Sequence, residues 1–430
     1  MGEETIPHTV LKRSAQMIEE YKKIITDYAC SNYKLMFREP NGLLKHPYIV
    51  PGASYTQSLW DWDSWLTNVA IRQMFVNNGE QKDFVRYERG CVINFLENTR
   101  ESGCMPHLLT PTRNTIDEAP EFSTNMHKPV LAQHVAFILK SIPDETQWFE
   151  PYIEKLDKFL KAYMTHQCHE NGLYFWLDDA GIGVDNDPCT FYRPPKSSGA
   201  IFLNCLMYKE LQAMEYICDI FKKDDLKDFY RTRAEILLKA IRNLCWDEKD
   251  GFYYSVDLNL YPIDLNVPLH SGCPRHWDCL IQRIGSWSGF LAMWSGIATQ
   301  QQAQRMVKEN LLDDKSFNSQ FGVRTLSKYE KMYVIKKSGN PSCWLGPVWG
   351  ISNYLVFKGL VKYGFVEEAR NLAYKTIKLF GQDIEKQGCM SEYYHPDTGE
   401  GINNPGFQNW NLLVLNMIAW LEDKQVVSEF

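Results

Sequence analysis

The sequence has little that marks a protein of nucleic acids or membranes. Its 53 acidic residues outnumber its 46 lysines and arginines, which gives a formal net charge of −7. The basic residues form no long stripe, so an electrostatic nucleic-acid footprint is not expected. No apolar run approaches the roughly 20 residues that span a bilayer, and the first residues lack the apolar stretch of a signal peptide. We therefore expect a cytoplasmic protein that binds neither nucleic acid nor membrane.

Paired cysteine spacing is also missing. Twelve cysteines are spread along the chain, and without a signal peptide they are typical of reduced thiols. Two short histidine–cysteine groups have no partner pair elsewhere that would complete a zinc site: Cys273, His276 and Cys279 in one, His166, Cys168 and His169 in the other. The sequence therefore predicts neither a metal nor a cofactor.

Aromatic residues, in contrast, are abundant. The 430 residues include 13 Trp, 23 Tyr and 22 Phe. Flat, amphipathic rings suit a large core, and they also suit a pocket that stacks on the faces of a ligand. Core packing accounts for most of them, and the overall composition is that of a folded globular chain.

Apolar residues recur at helical spacing along most of the chain. The pattern predicts about a dozen helices, with no strand–helix alternation and no long β meander. ENGLYFWLDD (170–179) and KDGFYYSVD (249–257) each follow a predicted helix and share a glycine–aromatic–acidic pattern, which indicates repeated helical hairpins. We expect an all-α fold, a closed (α/α)6 toroid forming one domain over residues 1–430, with an active site built by loops at one end.

The loops between these helices share a chemical character. Each places acidic or amide residues among aromatics and glycines. Aromatic rings stack on the apolar faces of sugars, while carboxylates and amides bond to sugar hydroxyls. Gathered at one end of a toroid, such loops predict a carbohydrate pocket. The main candidates are SLWDWDSW (58–65), GIGVDNDPCTFYRPP (181–195), GNPSCWLGPVWG (339–350), SEYYHPDTGEG (391–401) and NNPGFQNW (403–410).

Two carboxyl groups are needed to hydrolyse a glycosidic bond. One must be protonated to assist the leaving oxygen, and burial among aromatics raises a carboxyl pKa in that direction. The other activates water or acts as a nucleophile. The sequence offers Asp185 and Asp187 in one loop and Glu392 in another, and the choice between the two aspartates stays open.

Several motifs occur together in a consistent order. On their strength the sequence resembles the inverting (α/α)6 glycosidases, the family 63-like group that includes trehalases, processing α-glucosidases and bacterial mannosylglycerate hydrolases. The resemblance extends from about residue 50 to 420. Its motifs are Trp62-Asp63-Ser64, Lys128-Pro129 followed by Leu131-Ala132, Gly183-Val184-Asp185-Asn186, CWLGPVWGISNYL (343–355), and Glu392-Tyr393-Tyr394 with Thr398-Gly399.

The resemblance implies roles for individual residues. Asp185 matches the general acid of the family and Glu392 its general base. Asp187 stands where many relatives have serine, which keeps it as a second candidate. Trp62 and Asp63 match the motif that lines the subsite of the released sugar, and Gln133, Trp344, Trp349 and Trp410 fall in segments that line the same pocket in the family. We add Trp60, Arg193 and Tyr394, from the candidate loops, to the predicted substrate-binding residues.

The resemblance also implies a substrate class. In length the chain is most similar to mannosylglycerate hydrolases, which release a sugar from an anionic aglycone. We therefore predict an inverting glycoside hydrolase that cleaves an α-glycosidic bond in a small glucosyl or mannosyl substrate, such as mannosylglycerate or glucosylglycerate. Cations in or beside the candidate loops would hold an anionic aglycone: Lys128, Arg193, Lys196 and Arg275.

Two alternatives remain. A sugar epimerase or isomerase on the same toroid would abstract a proton with loop histidines, and His107, His127, His276 and His395 are available. A binding module without activity is the other alternative. The sequence indicates no oligomeric state.

Overall fold

The computed structural model describes residues 8–78, 84–261, 263–272, 277–336 and 341–430. Within these ranges the chain forms twelve α-helices, which confirms the number expected from the periodicity. They are α1 His8–Asn32, α2 Asp61–Asn78, α3 Val85–Glu97, α4 Leu131–Ser141, α5 Ile153–His166, α6 Ile201–Ile220, α7 Asp224–Leu244, α8 Leu291–Trp294, α9 Gln300–Arg305, α10 Gly350–Lys362, α11 Val366–Gln387 and α12 Val414–Leu421.

The even-numbered helices form a closed inner ring. α2 contacts α4, α4 contacts α6, α6 contacts α8, α8 contacts α10, α10 contacts α12, and α12 returns to α2. An odd-numbered helix precedes each of them in the chain and lies outside the ring. The predicted all-α, (α/α)6 toroid is therefore confirmed.

The two rings differ in how their helices are buried. In the inner helix α4 every residue from Leu131 to Leu139 is buried, as expected of a helix enclosed on all sides. The outer helix α7 buries a single stripe at helical spacing instead, formed by Tyr230, Ala234, Leu237, Ala240 and Ile241. No described helix combines the length and apolar character needed to cross a bilayer.

Thirteen strands of two residues each link the loops of the described chain. The sequence did not predict them, because a pair of residues has no periodicity to detect. They are β1 Phe37–Arg38, β2 Tyr48–Ile49, β3 Leu59–Trp60, β4 Leu108–Leu109, β5 Ser198–Gly199, β6 Trp246–Asp247, β7 Phe252–Tyr253, β8 Val256–Asp257, β9 Leu280–Ile281, β10 Asn318–Ser319, β11 Gly322–Val323, β12 Val348–Trp349 and β13 Tyr393–Tyr394.

One of these strand pairs joins two of the candidate loops. β12 and β13 pair in antiparallel fashion, with Trp349 opposite Tyr393. The pairing holds the segment before α10 against the segment before α12. Because the chain alternates between the two rings, the loops that lead into the inner helices share one end of the toroid.

Candidate active site

A small pocket opens at the end where the inner helices begin. It holds about 90 Å³, less than the roughly 300–1,000 Å³ of pockets for drug-sized ligands, and so suits a small substrate. Its walls come from the first turn of α2 and from the loops before α2, α4, α6, α10 and α12. They are formed by Tyr55, Trp60, Trp62, Asp63, Lys128, Gly181, Gly183, Asp185, Ser342, Trp344, Trp349, Glu392, Phe407 and Trp410.

Most of the residues selected from the sequence meet in this pocket. Both proposed catalytic carboxyl groups lie there, although 207 positions separate them in the chain. They are accompanied by Trp60, Trp62, Asp63, Trp344, Trp349 and Trp410.

Gln133 lies outside the pocket, in the first turn of α4. Its side-chain amide donates to the carbonyl oxygens of Pro129 at 3.0 Å and Leu206 at 3.1 Å. Both partners are backbone atoms, one of them in the neighbouring helix α6. The structure therefore gives Gln133 a place in the helix packing, and Gln133 is not among the residues that line the pocket.

Arg193 and Tyr394 also lie outside the pocket. The Arg193 guanidinium forms an ion pair with Asp257. The Tyr394 hydroxyl is buried and accepts a hydrogen bond from the Ser391 backbone N–H at 2.7 Å. Sequence position placed both residues near the catalytic groups, but their side chains are directed to partners within the protein.

The loop that carries Asp185 depends on Gly183. This glycine has a φ of +86°, and a Cβ there would lie 2.6 Å from Cε of Lys128 and 2.9 Å from the Trp62 ring. The loop thus packs directly on two other pocket residues, a position that only glycine fits. Beside it, Asn186 accepts a hydrogen bond from the Trp344 backbone N–H at 2.8 Å.

Asp187 is directed away from the pocket. Its Oδ1 accepts from the Cys189 backbone N–H at 3.3 Å, and its Oδ2 accepts from the Thr190 hydroxyl at 3.4 Å. Burial raises the pKa of Asp187 to about 6. It lies within its own turn, so of the two aspartates in this loop the structure brings Asp185, and not Asp187, to the pocket wall.

Glu392 is held by two side chains. Its Oε1 accepts from the Tyr55 hydroxyl at 3.3 Å, and its Oε2 accepts from the Asn403 amide at 3.0 Å. Burial, with the charge of Asp185 adding to it, raises the pKa of Glu392 to about 7 against the opposing effect of the hydrogen bonds from Asn403 and Tyr55. Near neutral pH both forms are populated, so the carboxylate is available to accept a proton from water.

Asp61 and Lys128 form a buried ion pair at the back of the pocket. The Lys128 ammonium lies 2.8 and 3.1 Å from the two carboxylate oxygens, and its backbone N–H also donates to Asp61 at 2.9 Å. Burial acts to raise the pKa of Asp61, but Lys128, His127 and His107 outweigh it and the pKa is lowered. The ammonium also lies 5.4 Å from the Trp62 ring centre. The positive charge of Lys128 is thus neutralised within the protein.

Asp63 behaves in the opposite way. It accepts a hydrogen bond from the Asn409 amide, yet burial, and then the charge of Asp61, raise its pKa to about 8. Near neutral pH it is therefore mostly a neutral carboxylic acid. Such a group both donates and accepts, which suits a sugar hydroxyl.

Tryptophans form the apolar wall. Trp344 and Trp349 stack with ring centres 3.9 Å apart, and Trp62 meets Trp410 edge-on at 5.0 Å. The indole N–H groups of Trp60 and Trp410 have no acceptor among the described residues. The wall thus offers aromatic surface to a sugar ring.

Four contributors were not selected from the sequence: Tyr55, Ser342, Phe407 and Asn403. Phe407 and Asn403 fall in the loop NNPGFQNW, whose composition had marked it as a candidate. Ser342 falls in another such loop. Nothing in the residues around Tyr55 indicated a role, because it acts through its contact with Glu392.

The histidines of the alternative function do not line the pocket where the structure describes them. Burial lowers the pKa of His107 and of His127 to about 4. His395 accepts from the Asp397 backbone N–H at 3.2 Å, within a turn. His276 lies outside the described residues. The placement of the described histidines offers no proton-abstracting group to a bound sugar.

The described ranges contain no group of three or more His, Cys, Asp or Glu side chains placed to hold a metal ion. Cys273 and His276, members of one of the two histidine–cysteine groups, lie outside those ranges.

Comparison with known proteins gives a consistent result. The model of the mannosylglycerate hydrolase MGH1-like glycoside hydrolase domain matches residues 7–410. Mannosylglycerate hydrolase MGH1 of Selaginella moellendorffii is 22% identical over 436 residues, covering 87% of this chain and 82% of that protein. The cytosolic neutral trehalase of Kluyveromyces lactis is 27% identical over 282 residues, covering 60% of this chain, which spans only 34% of the trehalase.

Among solved structures, the GH63 mannosylglycerate hydrolase from Thermus thermophilus in complex with glucose is similar in fold. It superimposes with a TM-score of 0.66 at 19% identity, covering 92% of this chain and 99% of that one.

Proposed function

The chain belongs to the mannosylglycerate hydrolase MGH1-like glycoside hydrolase family, and we propose that it is an inverting glycosidase that cleaves the α-glycosidic bond of a small glucosyl or mannosyl substrate. One observation carries the proposal. Asp185 and Glu392, from loops far apart in the chain, line the same small pocket among stacked tryptophans.

In the proposed reaction the two carboxyl groups act on opposite faces of the sugar. Asp185 protonates the departing oxygen, and Glu392 removes a proton from the water that attacks the anomeric carbon. One displacement inverts the configuration at that carbon, and it requires a separation of roughly 6.5–9.5 Å between the carboxyl groups. Tyr55 and Asn403 are positioning residues, since both donate to the Glu392 carboxylate.

Asp63 and the tryptophans bind the sugar that is released. The neutral carboxylic acid of Asp63 exchanges hydrogen bonds with a sugar hydroxyl, and the Trp62 indole packs against a ring face. Mannosylglycerate and trehalose are suitable test substrates, because the family and its relatives are named for hydrolysing them. Glucosylglycerate is a third, because it has the same aglycone as mannosylglycerate. We place the protein in the cytoplasm, as the related trehalase is named cytosolic.

A product assay tests the proposal directly. The purified protein is given mannosylglycerate, glucosylglycerate, trehalose and other α-linked disaccharides, and NMR identifies the anomer formed first. We expect the β-anomer from an α-linked substrate. Retention of the α-anomer, or no hydrolysis of any α-glycoside, would overturn the proposed function.

Asp185→Asn tests whether Asp185 is the general acid, because two substrates can be chosen that differ in their need for a proton on the leaving group. A sugar or polyol leaving group needs a proton, whereas fluoride leaves without one. The variant should lose activity on the natural glycoside by about 10²–10⁴-fold, yet keep most of its activity on the matching α-glycosyl fluoride. Equal losses on both substrates would contradict an acid role for Asp185.

A further inference from the structure

We infer that the leaving group of the substrate is uncharged, a sugar or polyol and not a hydroxy acid such as glycerate. The inference rests on the proposed function and deepens it, because it selects between the aglycone classes that the family and its relatives suggest. The charges in and around the pocket carry it.

Lys128 is the one cation among the described residues that line the pocket, and the lining also includes the carboxyl groups of Asp63, Asp185 and Glu392. The Lys128 side chain is 2% exposed, and both oxygens of the Asp61 carboxylate contact its ammonium. A cation engaged in this way offers no net positive charge to a ligand. The lining that the structure describes is therefore neutral to negative.

Two other cations considered for an anionic aglycone, Arg193 and Lys196, do not change this balance. Arg193 forms an ion pair with Asp257, and neither residue lines the pocket. Lys196 is exposed and is absent from the lining. Arg275 lies outside the described residues.

A carboxylate on the leaving group would meet an unfavourable environment. The leaving oxygen lies beside the acid, Asp185, in the proposed reaction, so the leaving group shares the pocket with Glu392. A carboxylate there would be repelled by the ionised form of Glu392. It would also lose its hydration, because Lys128, the one cation of the described lining, already pairs with Asp61. An electrically neutral leaving group carries neither cost.

A neutral polyol or sugar, in contrast, meets a suitable surface. The rest of the described lining is largely aromatic and includes Trp60, Trp344 and Trp410. Aromatic rings pack on the apolar faces of a polyol or a second sugar and require no charge on it.

Matched substrate pairs test the inference. α-Glucosylglycerol and α-glucosylglycerate share their sugar and linkage and differ by a hydroxymethyl group in place of a carboxylate, and the mannosyl pair differs in the same way. We expect kcat/KM for the neutral member to be higher by roughly tenfold or more. The ratio should decrease at higher ionic strength, because salt screens the repulsion.

The result separates this inference from the function on which it rests. Hydrolysis of the glycerate compounds at an equal or higher kcat/KM would overturn the uncharged leaving group and leave the glycosidase proposal intact. Failure to hydrolyse any member of the panel, trehalose included, would overturn the glycosidase proposal and the inference with it.

Two variants locate the source of the selectivity. Asp61→Asn removes the charge that neutralises Lys128, so the neutral-to-anionic ratio should decrease. Asp257→Asn is the matched control, since it releases Arg193 outside the pocket and should leave the ratio unchanged. A decrease with Asp257→Asn but not with Asp61→Asn would place the source of the selectivity at Arg193 and overturn its assignment to the Lys128–Asp61 pair. If Asp61→Asn does not fold, the wild-type ratio remains decisive.

Discussion

Two regions of the toroid each bury a glutamate among aromatic side chains, yet the pKa of one is raised and that of the other is lowered. Glu392 lies in the pocket, where burial raises its pKa to about 7. Glu429 lies near Trp294, which ends the inner helix α8. It accepts from the Trp294 indole at 2.9 Å and the Tyr354 hydroxyl at 2.6 Å, and the Lys358 ammonium is 3.7 Å away. Burial acts to raise the pKa of Glu429, but these three partners outweigh it and the pKa is lowered.

The difference lies in how completely the protein satisfies each carboxylate. Glu429 has a nearby cation and is fixed in its ionised form, so it serves packing. Glu392 has hydrogen-bond donors but no ion pair among the described residues, and it faces a pocket. A carboxyl group left between its two protonation states can exchange a proton with a ligand. Aromatic surroundings are common to both sites and do not distinguish them.

Glu392→Gln should reduce activity more than the other substitutions in these two regions. The amide keeps the shape of the side chain and one acceptor oxygen but takes no proton from water. We expect kcat to decrease by about 10²–10⁴-fold while the unfolding midpoint changes little. Steady-state kinetics on the best α-glycoside, with thermal unfolding in parallel, give both values. A variant with full activity would remove Glu392 from the mechanism.

Glu429→Gln is the counterpart in the other region. The substitution removes a buried charge that Tyr354, Trp294 and Lys358 all contact. The free energy of unfolding should decrease by about 1–3 kcal/mol, measured by urea denaturation, while kcat is unchanged. A loss of activity without a loss of stability would show that this region also serves catalysis, and the contrast between the two glutamates would fail.

The fold was predictable from the sequence because its signal is long-ranged and repetitive. Helices such as α6 and α11 are long and carry many apolar residues at helical spacing. Contacts between such helices then close the ring. The two-residue strands carried no such signal. Among them, β12 and β13 matter most, since their pairing sets the Trp349 segment beside the one that carries Glu392.

The candidate site was predictable in part. Motif order selected Asp185, Glu392 and most of the tryptophans, and the structure brings these together. A linear motif does not specify the direction of a side chain, however. Gln133 lies in a motif that leads into an inner helix, but its amide is directed to backbone carbonyls. Tyr55 was missed for the converse reason, because its role depends on a contact across 337 positions.

The two glutamates each accept a hydrogen bond from a tyrosine, so the two regions can also be compared through these tyrosines. Tyr55 and Tyr354 both donate a hydroxyl hydrogen to a glutamate. A hydrogen bond to a carboxylate favours its ionised form and lowers its pKa. Tyr55→Phe should therefore raise the pKa of Glu392 above about 7. The rising limb of kcat/KM against pH should then move to higher pH by on the order of one unit.

Tyr354→Phe provides the control for that experiment. It removes a donor to Glu429, so it should lower the unfolding midpoint and leave the pH profile of kcat/KM in place. If Tyr55→Phe lowered kcat at every pH without moving the limb, the hydroxyl would have some role other than setting the ionisation of Glu392.

Lys209 should have a smaller effect, and on stability alone. Its ammonium lies 5.0 Å from the centre of the Phe430 ring, and the Lys140 ammonium lies 4.8 Å from the same centre. Burial, and then the charge of Lys362, lower the pKa of Lys209 to about 8. Between about pH 8 and the ordinary lysine pKa near 10.4, the folded protein binds fewer protons here than the unfolded chain. Stability must therefore rise with pH across that window.

Lys209→Met removes this titration, so the wild type should gain stability relative to the variant between pH 7.5 and pH 9.5, by on the order of 1 kcal/mol. Urea denaturation at both pH values measures the difference. Lys239→Met, at an exposed position of α7, is the control and should show no such change. A difference independent of pH would mean that Lys209 keeps its proton across this range, and that burial and Lys362 lower its pKa less than the structure indicates.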